Sequence, residues 1–217
     1  MPEKIRAIDE FTITEAAVEQ MATTPDARLK EVMASLVKHL HAFAREVDLR
    51  PDEWMEGIKF LTNVGQTCTP YRQEFILLSD TLGLSTLINA LHDKRAVEYG
   101  TDTSLLGPFY RQDSPKMNLG NAIFDHLQGG QEICLYGKVT DKSGKALAGA
   151  SVEIWQTDEH GVYDLQRQDP SLMDLRAQFR TDAEGNYHLR TVLPCGYMIP
   201  MDGPVGDMIR EIGRAHV

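Results

Sequence analysis

Two tyrosines in this sequence lie in loops that flank predicted strands. A side chain at such a position can contribute to a binding or catalytic site. Tyr163 follows a turn at residues 159–161, and Tyr197 follows the tripeptide Pro194-Cys195-Gly196. A loop position can present the phenol hydroxyl to a ligand, yet most loop tyrosines are amphipathic packing residues. Spacing alone therefore does not separate these two from the other tyrosines, which are Tyr71, Tyr99, Tyr110, Tyr136 and Tyr187.

The common catalytic motifs are absent from the sequence. No HExxH, GxSxG or GKS/T pattern occurs, which excludes the usual zinc-protease, serine-hydrolase and P-loop sites. His92, His126 and His160 are isolated in sequence, and an isolated histidine is usually a solvated or packing residue. Motifs of these kinds therefore assign no function.

Composition and charge restrict the class of protein. The 217 residues carry a formal charge of -10, so the chain has no basic field for nucleic acid or an anionic membrane surface. Three widely separated cysteines predict neither a disulfide framework nor a zinc site. The charged N-terminus does not resemble a signal peptide, and no apolar run reaches the roughly 18 residues of a membrane span. We expect a cytoplasmic protein without nucleic-acid or membrane partners.

The first half of the chain has helical periodicity. Apolar residues recur at steps of three and four from Leu29 to Val47, which predicts a long amphipathic helix that begins with Thr24 as N-cap and Pro25 at its first position. Further helices are predicted from Pro51 to Gly65, over 70–82 and over 85–94. Residues 1–97 are thus predicted to form a helical domain.

The second half has a different pattern. Residues 98–130 are rich in Gly, Pro, Asn and Asp and are predicted to be a long connecting segment, which is the kind of loop that often carries function. From Ile133 onward, short period-two runs at 133–139, 152–154 and 187–189 alternate with turn signals, which is typical of an antiparallel β-sandwich. The expected fold class is α+β, with an N-terminal helical domain followed by an antiparallel β-sandwich over 131–217.

Four segments resemble the intradiol ring-cleavage dioxygenases. The most specific are the run from Trp155 to Glu159 that leads to Tyr163, and Tyr197 leading into IPMDGPVG. Upstream, FILLSDTLGLS (75–85) and LLGPFY (105–110) are similar to the family's helical and linker segments. The resemblance extends from the N-terminal helices to the last residue.

The resemblance implies a non-haem Fe(III) cofactor and a ring-cleaving reaction. In the family, two tyrosinates and two histidines hold the iron, and by position Tyr163 and Tyr197 are the two tyrosinates. Tyr197 also has the catalytic role, because it leaves the metal and accepts a proton from the substrate. The implied substrates are O₂ and a small aromatic diol or triol, hydroxyquinol or catechol, which is cleaved between adjacent hydroxylated carbons to a muconate or maleylacetate type of product.

The resemblance also implies a substrate pocket and a dimer. An apolar wall with one carboxylate suits a ring with a third hydroxyl, which Asp80 would bind through a hydrogen bond. A homodimer through the helical domain, with a phospholipid at its interface, is expected from the family. The implied pocket residues are Leu77, Asp80, Leu105, Leu106, Gly107, Pro108 and Phe109.

The C-terminal end departs from the family pattern. After Ile212-Gly213-Arg214, the family continues within a few residues into an Arg-Pro-Ala-His-x-His segment that supplies both histidine ligands, whereas this sequence ends at Val217. His216 is interpreted as part of the spacer and not as a ligand. We expect a C-terminally truncated sequence with a partial sandwich. The alternative is a non-catalytic, transthyretin-like binding module with a helical extension.

Overall fold

A computed structural model describes residues 8–96, 100–101, 103–125 and 129–213. Three residues considered above lie outside these ranges, namely Tyr99, His126 and His216. The chain forms two compact units, residues 1–59 and 60–217, and the division falls within a helix. The predicted boundaries at residues 97 and 130 remain predictions.

The first unit is helical. Helix α1 spans Ile13–Glu19, α2 spans Ala27–Glu46, and α3 (Pro51–Thr67) begins in this unit. The predicted start of α2 is wrong by two residues. Its N-cap is Asp26, whose carboxylate accepts hydrogen bonds from the backbone N–H groups at positions 28 and 29. A carboxylate satisfies two of the free N–H groups at a helix start and also interacts favourably with the helix dipole.

The second unit contains the remaining helices and all strands. Helix α4 spans Glu74–Thr81, α5 spans Leu84–Ala96 and α6 spans Pro204–Ile212. Buried side chains of α3, α4 and α6 form one apolar cluster, made of Val64, Leu77, Leu78 and Val205. This cluster fixes α6 against α4, and α6 directly follows the segment that carries Tyr197.

Four strands form two antiparallel pairs. Strand β1 (Glu132–Lys138) pairs with β4 (Asn186–Val192), and β2 (Ser151–Trp155) pairs with β3 (Arg176–Arg180). Buried residues of both sheets share one core, which contains Ile123, Leu175, Ala177, Phe179, Leu189 and Val192. The predicted α+β class, helices followed by antiparallel β-sheets, is confirmed.

Among the described residues, no single helix has the length and apolar character of a membrane span. Only α4 and α5 taken together, which are bent by 73° at the break between them, meet that requirement by length and composition.

Candidate functional site

Tyr163 and Tyr197 lie side by side, as the resemblance implied. Their ring centroids are 5.2 Å apart and the rings are nearly perpendicular, at 83°. Tyr163 follows β2 in the chain and Tyr197 follows β4, so the site brings together segments from both sheets. Tyr163 is half-buried, whereas Tyr197 is 46% exposed.

A glycine permits this approach. Gly161 has a φ of +78°, which glycine adopts without strain, and a Cβ at that position would lie 2.4 Å from the carbonyl oxygen of Gly196. The backbones that precede the two tyrosines are therefore in direct contact. The hydroxyl of Thr157 adds a cross-link between the same segments by donating to the carbonyl of Cys195 at 3.0 Å.

The turn that leads to Tyr163 is organised around Asp158. Its carboxylate accepts hydrogen bonds from the backbone N–H groups of His160 and Val162, both at 2.9 Å, and from Arg167 at 3.1 Å. Burial opposes ionisation of this carboxyl, but these three donors outweigh it and hold the pKa of Asp158 below its ordinary value. The negative charge is thus part of the folded turn.

Phe109 completes an aromatic cluster with the two tyrosines. Its ring stacks on Tyr163, with centroids 4.2 Å apart and an interplanar angle of 14°, and its edge meets Tyr197 at 5.7 Å. Phe109 itself is buried. Of the predicted pocket residues, it is the one that the structure places against both tyrosines.

Burial changes the acidity of the central phenol. Loss of solvation raises the pKa of Tyr163 to about 12, and the Tyr197 hydroxyl adds to this through its charge and a side-chain hydrogen bond. The positive charge of Arg176 acts in the opposite direction. A phenol with a pKa raised in this way is neutral near pH 7 unless a cation stabilises its ionised form.

The donor set fits ferric iron in part. Two converging phenol oxygens are hard ligands of the type that trivalent iron prefers. Within the described part of the chain, no group of three or more His, Cys, Asp or Glu side chains is arranged to hold a metal. The two ligands that the resemblance implies, Tyr163 and Tyr197, lie side by side, and their assignment as ligands remains a prediction.

The other predicted pocket residues are divided between two cavities. Leu77 and Pro108 line a cavity of about 70 Å³ together with Phe109. Asp80 lines a second cavity, of about 290 Å³, with the segment 105–107. Phe109 thus links the smaller cavity to the tyrosines, whereas no described contact joins Asp80 to them.

Asp80 is buried, at 5% exposure, and no described residue donates a hydrogen bond to its carboxylate. Its carboxylate is available at the cavity that Asp80 lines, where a ligand hydroxyl is a chemically suitable partner for it. A further cleft, of about 510 Å³, is lined by acidic residues that include Asp158 and Asp164, and it contains neither tyrosine.

Sequence reasoning missed the ion pair behind the aromatic cluster. Arg176 and Asp164 are both buried, and two nitrogen atoms of the arginine contact the carboxylate. Asp164 directly follows Tyr163 in the chain. The position of Asp164 next to Tyr163 was visible in the sequence. Its partner was not, because an arginine at the start of a strand usually faces solvent.

Family models and relatives place the chain among known enzymes. Residues 26–100 match a model described as "Catechol dioxygenase N terminus", and residues 105–217, more than half of the chain, match one described as "Dioxygenase". The chain is 43% identical over 207 residues to 6-chlorohydroxyquinol 1,2-dioxygenase of Cupriavidus pinatubonensis, which covers 95% of this chain and 74% of that protein. It is 41% identical over 212 residues to hydroxyquinol 1,2-dioxygenase of Corynebacterium glutamicum, which covers 98% and 69%.

A solved structure agrees with these matches. Hydroxyquinol 1,2-dioxygenase from Pseudomonas putida DLL-E4 superposes with a TM-score of 0.76 at 42% identity, covering 93% of this chain and 70% of that one. These similarities favour the enzyme over the transthyretin-like binding module. The chain belongs to the catechol dioxygenase family of intradiol ring-cleavage dioxygenases.

Proposed function

We propose that this protein is an Fe(III)-dependent intradiol dioxygenase that cleaves hydroxyquinol. The family uses iron, and the observation that carries the proposal here is the pair of phenol oxygens on Tyr163 and Tyr197 beneath the buried ring of Phe109. When bound, ferric iron supplies the Lewis acidity that holds the two ring oxygens of the substrate and favours reaction of the ring with O₂.

The two tyrosines have different environments, which suits different roles. Tyr163 is half-buried, and Phe109 stacks on its ring, so it is suited to remain a fixed ligand. Tyr197 is 46% exposed and lies in an irregular segment between β4 and α6. We assign to its phenol oxygen the proton that the substrate hydroxyl gives up on binding.

The reaction requires no external reductant. The carbon–carbon bond between the two hydroxylated ring carbons breaks, and both oxygen atoms of O₂ enter the ring-opened diacid. Phe109 supports this chemistry by keeping water away from one face of the aromatic cluster.

Asp80 supports hydroxyquinol over catechol as the substrate. It lines a cavity with residues 105–107, no described residue donates a hydrogen bond to its carboxylate, and a third ring hydroxyl is able to do so. A carboxylate that is satisfied only by the correct substrate discriminates strongly against an analogue that lacks the hydroxyl. The names of the relatives above agree with this choice, and the first of them adds a chlorinated hydroxyquinol as a related substrate.

Iron content and substrate preference test the proposal. We expect the protein to bind iron with a visible tyrosinate-to-iron absorption band and to open hydroxyquinol faster than catechol. If a protein that also contains the family's histidine segment takes up no iron, the proposed use of iron is refuted.

Two variants of Asp80 test the substrate. Asp80→Asn and Asp80→Leu should lower kcat/KM for hydroxyquinol roughly 10- to 100-fold, the range expected for a hydrogen bond to a charged group. Activity on catechol should change far less. Asp207→Asn, at an exposed position in α6, is the control and should leave the activity on both substrates unchanged. Equal losses on both substrates would refute the role of Asp80.

We also propose the homodimer that the family suggests. Helix α2 exposes an apolar stripe that includes Leu29, Leu36, Leu40 and Phe43, and a second copy with a bound phospholipid would cover it. Native mass spectrometry should give twice the mass of one chain, together with a lipid adduct. A monomer over the micromolar range would contradict this proposal.

A further inference from the structure

Strand β3 begins with a buried arginine. Arg176 is 2% exposed and is among the largest fully buried side chains of the protein. Its Nε and Nη2 atoms donate to the two carboxylate oxygens of Asp164, at 2.6 and 2.5 Å. Both side chains are almost completely excluded from solvent. Such a fork-to-fork contact fixes the direction of both groups, because two parallel bonds define a plane.

The same guanidinium also reaches the residue that covers Tyr163. Nη2 of Arg176 donates to the carbonyl oxygen of Phe109 at 3.2 Å, and the ring of Phe109 stacks on Tyr163. Asp164, the other partner of Arg176, follows Tyr163 directly and begins a single 3-10 turn. One side chain thus holds the backbone next to Tyr163 and the backbone of the residue stacked on its ring.

The Asp164 carboxylate has further contacts that keep it in place. It accepts hydrogen bonds from the backbone N–H groups of Leu165 and Asp174, at 2.9 and 3.3 Å. Arg111 lies 3.6 Å from it, but Nη1 of Arg111 donates to two backbone carbonyls instead. Arg176 is therefore the cation that forms hydrogen bonds with Asp164.

One nitrogen of this arginine lacks a hydrogen-bond partner among the described residues. Nη1 of Arg176 is buried, and no described residue accepts a hydrogen bond from it. Burying a guanidinium is costly, and an incompletely bonded one is more so. Apolar side chains would fill the same space at lower cost, so stability alone gives a weak reason for an arginine here.

Among the described residues, no buried ion pair supports Tyr197 in the way that Arg176 and Asp164 support Tyr163. Its segment is held through backbone contacts at Cys195 and Gly196, and its own ring is 46% exposed. The two tyrosines of the site are thus anchored to different degrees, because Phe109 contacts both rings whereas the pair of Arg176 and Asp164 directly adjoins Tyr163.

We propose that Arg176 is a positioning residue that fixes the orientation of Tyr163, so that this phenol oxygen stays in place while Tyr197 moves. The inference rests on the proposed function, in which both tyrosines are ligands. The buried ion pair of Arg176 and Asp164 would keep one tyrosine fixed while the other moves. This role requires no contact between Arg176 and the substrate.

Hydroxyl-radical footprinting of the iron-free protein, read by mass spectrometry, tests the orientation without requiring iron. The variant is Arg176→Lys, which keeps the charge but loses the fork. The Tyr163 ring should become about threefold more reactive as it moves from half-buried toward full exposure. Tyr187 in β4, which has similar exposure in the same unit, should keep its rate.

Two more variants complete the design. Arg180→Lys makes the same substitution at the exposed end of β3, where the guanidinium donates to the carbonyl of Gly149, and it should leave Tyr163 unchanged. Asp164→Asn removes the charge from the other partner and should expose Tyr163 in the same way as Arg176→Lys. It provides the measurement if Arg176→Lys does not fold.

Two outcomes would overturn the inference. Unchanged reactivity of Tyr163 in the folded variants would show that Arg176 does not hold the ring. A parallel rise at Tyr163 and Tyr187 would show general loosening of the sandwich.

The visible band separates this inference from the proposed function. If the unsubstituted protein, with the family's histidine segment present, gives no band with ferric iron, the proposed function fails, whereas the footprint still reports on Arg176. If the band forms, Arg176→Lys should alter its position or intensity, and Arg180→Lys should not.

Discussion

Phe109 offers the sharpest test of how the site is built. Its buried ring contacts Tyr163 face to face and Tyr197 edge to face. Each aromatic pair stabilises by about 0.5–1.5 kcal/mol beyond the burial of area, so Phe109→Leu should lower the free energy of unfolding by about 1–3 kcal/mol. Phe109→Ala also leaves a cavity and should cost about 3–5 kcal/mol. In both variants the tyrosines lose their cover, and iron should bind more weakly.

Urea unfolding provides the measurement. Fluorescence of Trp155 at the end of β2 reports on the second unit when Trp54 of the first unit is replaced by Phe. Phe75→Leu is the matched control, because the same substitution is made in α4 at a ring that is 46% exposed, and it should cost less. If Phe109→Leu unfolds at the same urea concentration as the unsubstituted protein and as Phe75→Leu, the aromatic cluster does not stabilise the site.

Three further predictions concern the tyrosine segments. Gly161→Ala should lower the free energy of unfolding by more than the roughly 1–2 kcal/mol that a positive φ costs an alanine, because the new Cβ would meet the Gly196 carbonyl. Gly144→Ala, at a position with a similar φ and open space, should show only the backbone cost in the same urea assay. Tyr163→Phe and Tyr197→Phe should each weaken the visible iron band, and a band of full strength in either would refute that ligand. Asp158 has a lowered pKa in the folded state, so its stabilising effect is complete above the ordinary value of 3.8 and is lost as the pH falls further. The urea midpoint should therefore drop more between pH 5.5 and about 2.5 for the unsubstituted protein than for Asp158→Asn, and equal drops would contradict this role.

Periodicity predicted most of the elements, because the apolar residues of α2 and of β1, β2 and β4 recur at the spacing of their structures. Strand β3 was missed. Its alternation of polar and apolar residues is regular but contains only two apolar residues, Ala177 and Phe179, and Arg176 is buried because Asp164 pairs with it from another segment. A one-dimensional pattern does not contain that pairing.

The candidate site was predictable by resemblance and not by spacing. Nothing in the local sequence brings Tyr163 to Tyr197, since their approach depends on the contact of Gly161 with Gly196 between segments of different sheets. The resemblance named Phe109, which contacts both tyrosines, whereas its role toward the substrate and the link from Asp80 to the tyrosines stay predictions. The cytoplasmic location, the homodimer and the domain boundaries also stay predictions.

The two tyrosines belong to opposite layers of the sandwich, because one follows β2 and the other follows β4. An ion held by both phenol oxygens would therefore join the two sheets, in the same way as a covalent staple between layers. Binding to the folded state alone raises the free energy of unfolding by an amount that grows with the logarithm of the ratio of ion concentration to dissociation constant. A substitution that shifts one sheet relative to the other would in turn change the distance between the phenol oxygens. Core residues far from the tyrosines would therefore affect the spacing of these two oxygens.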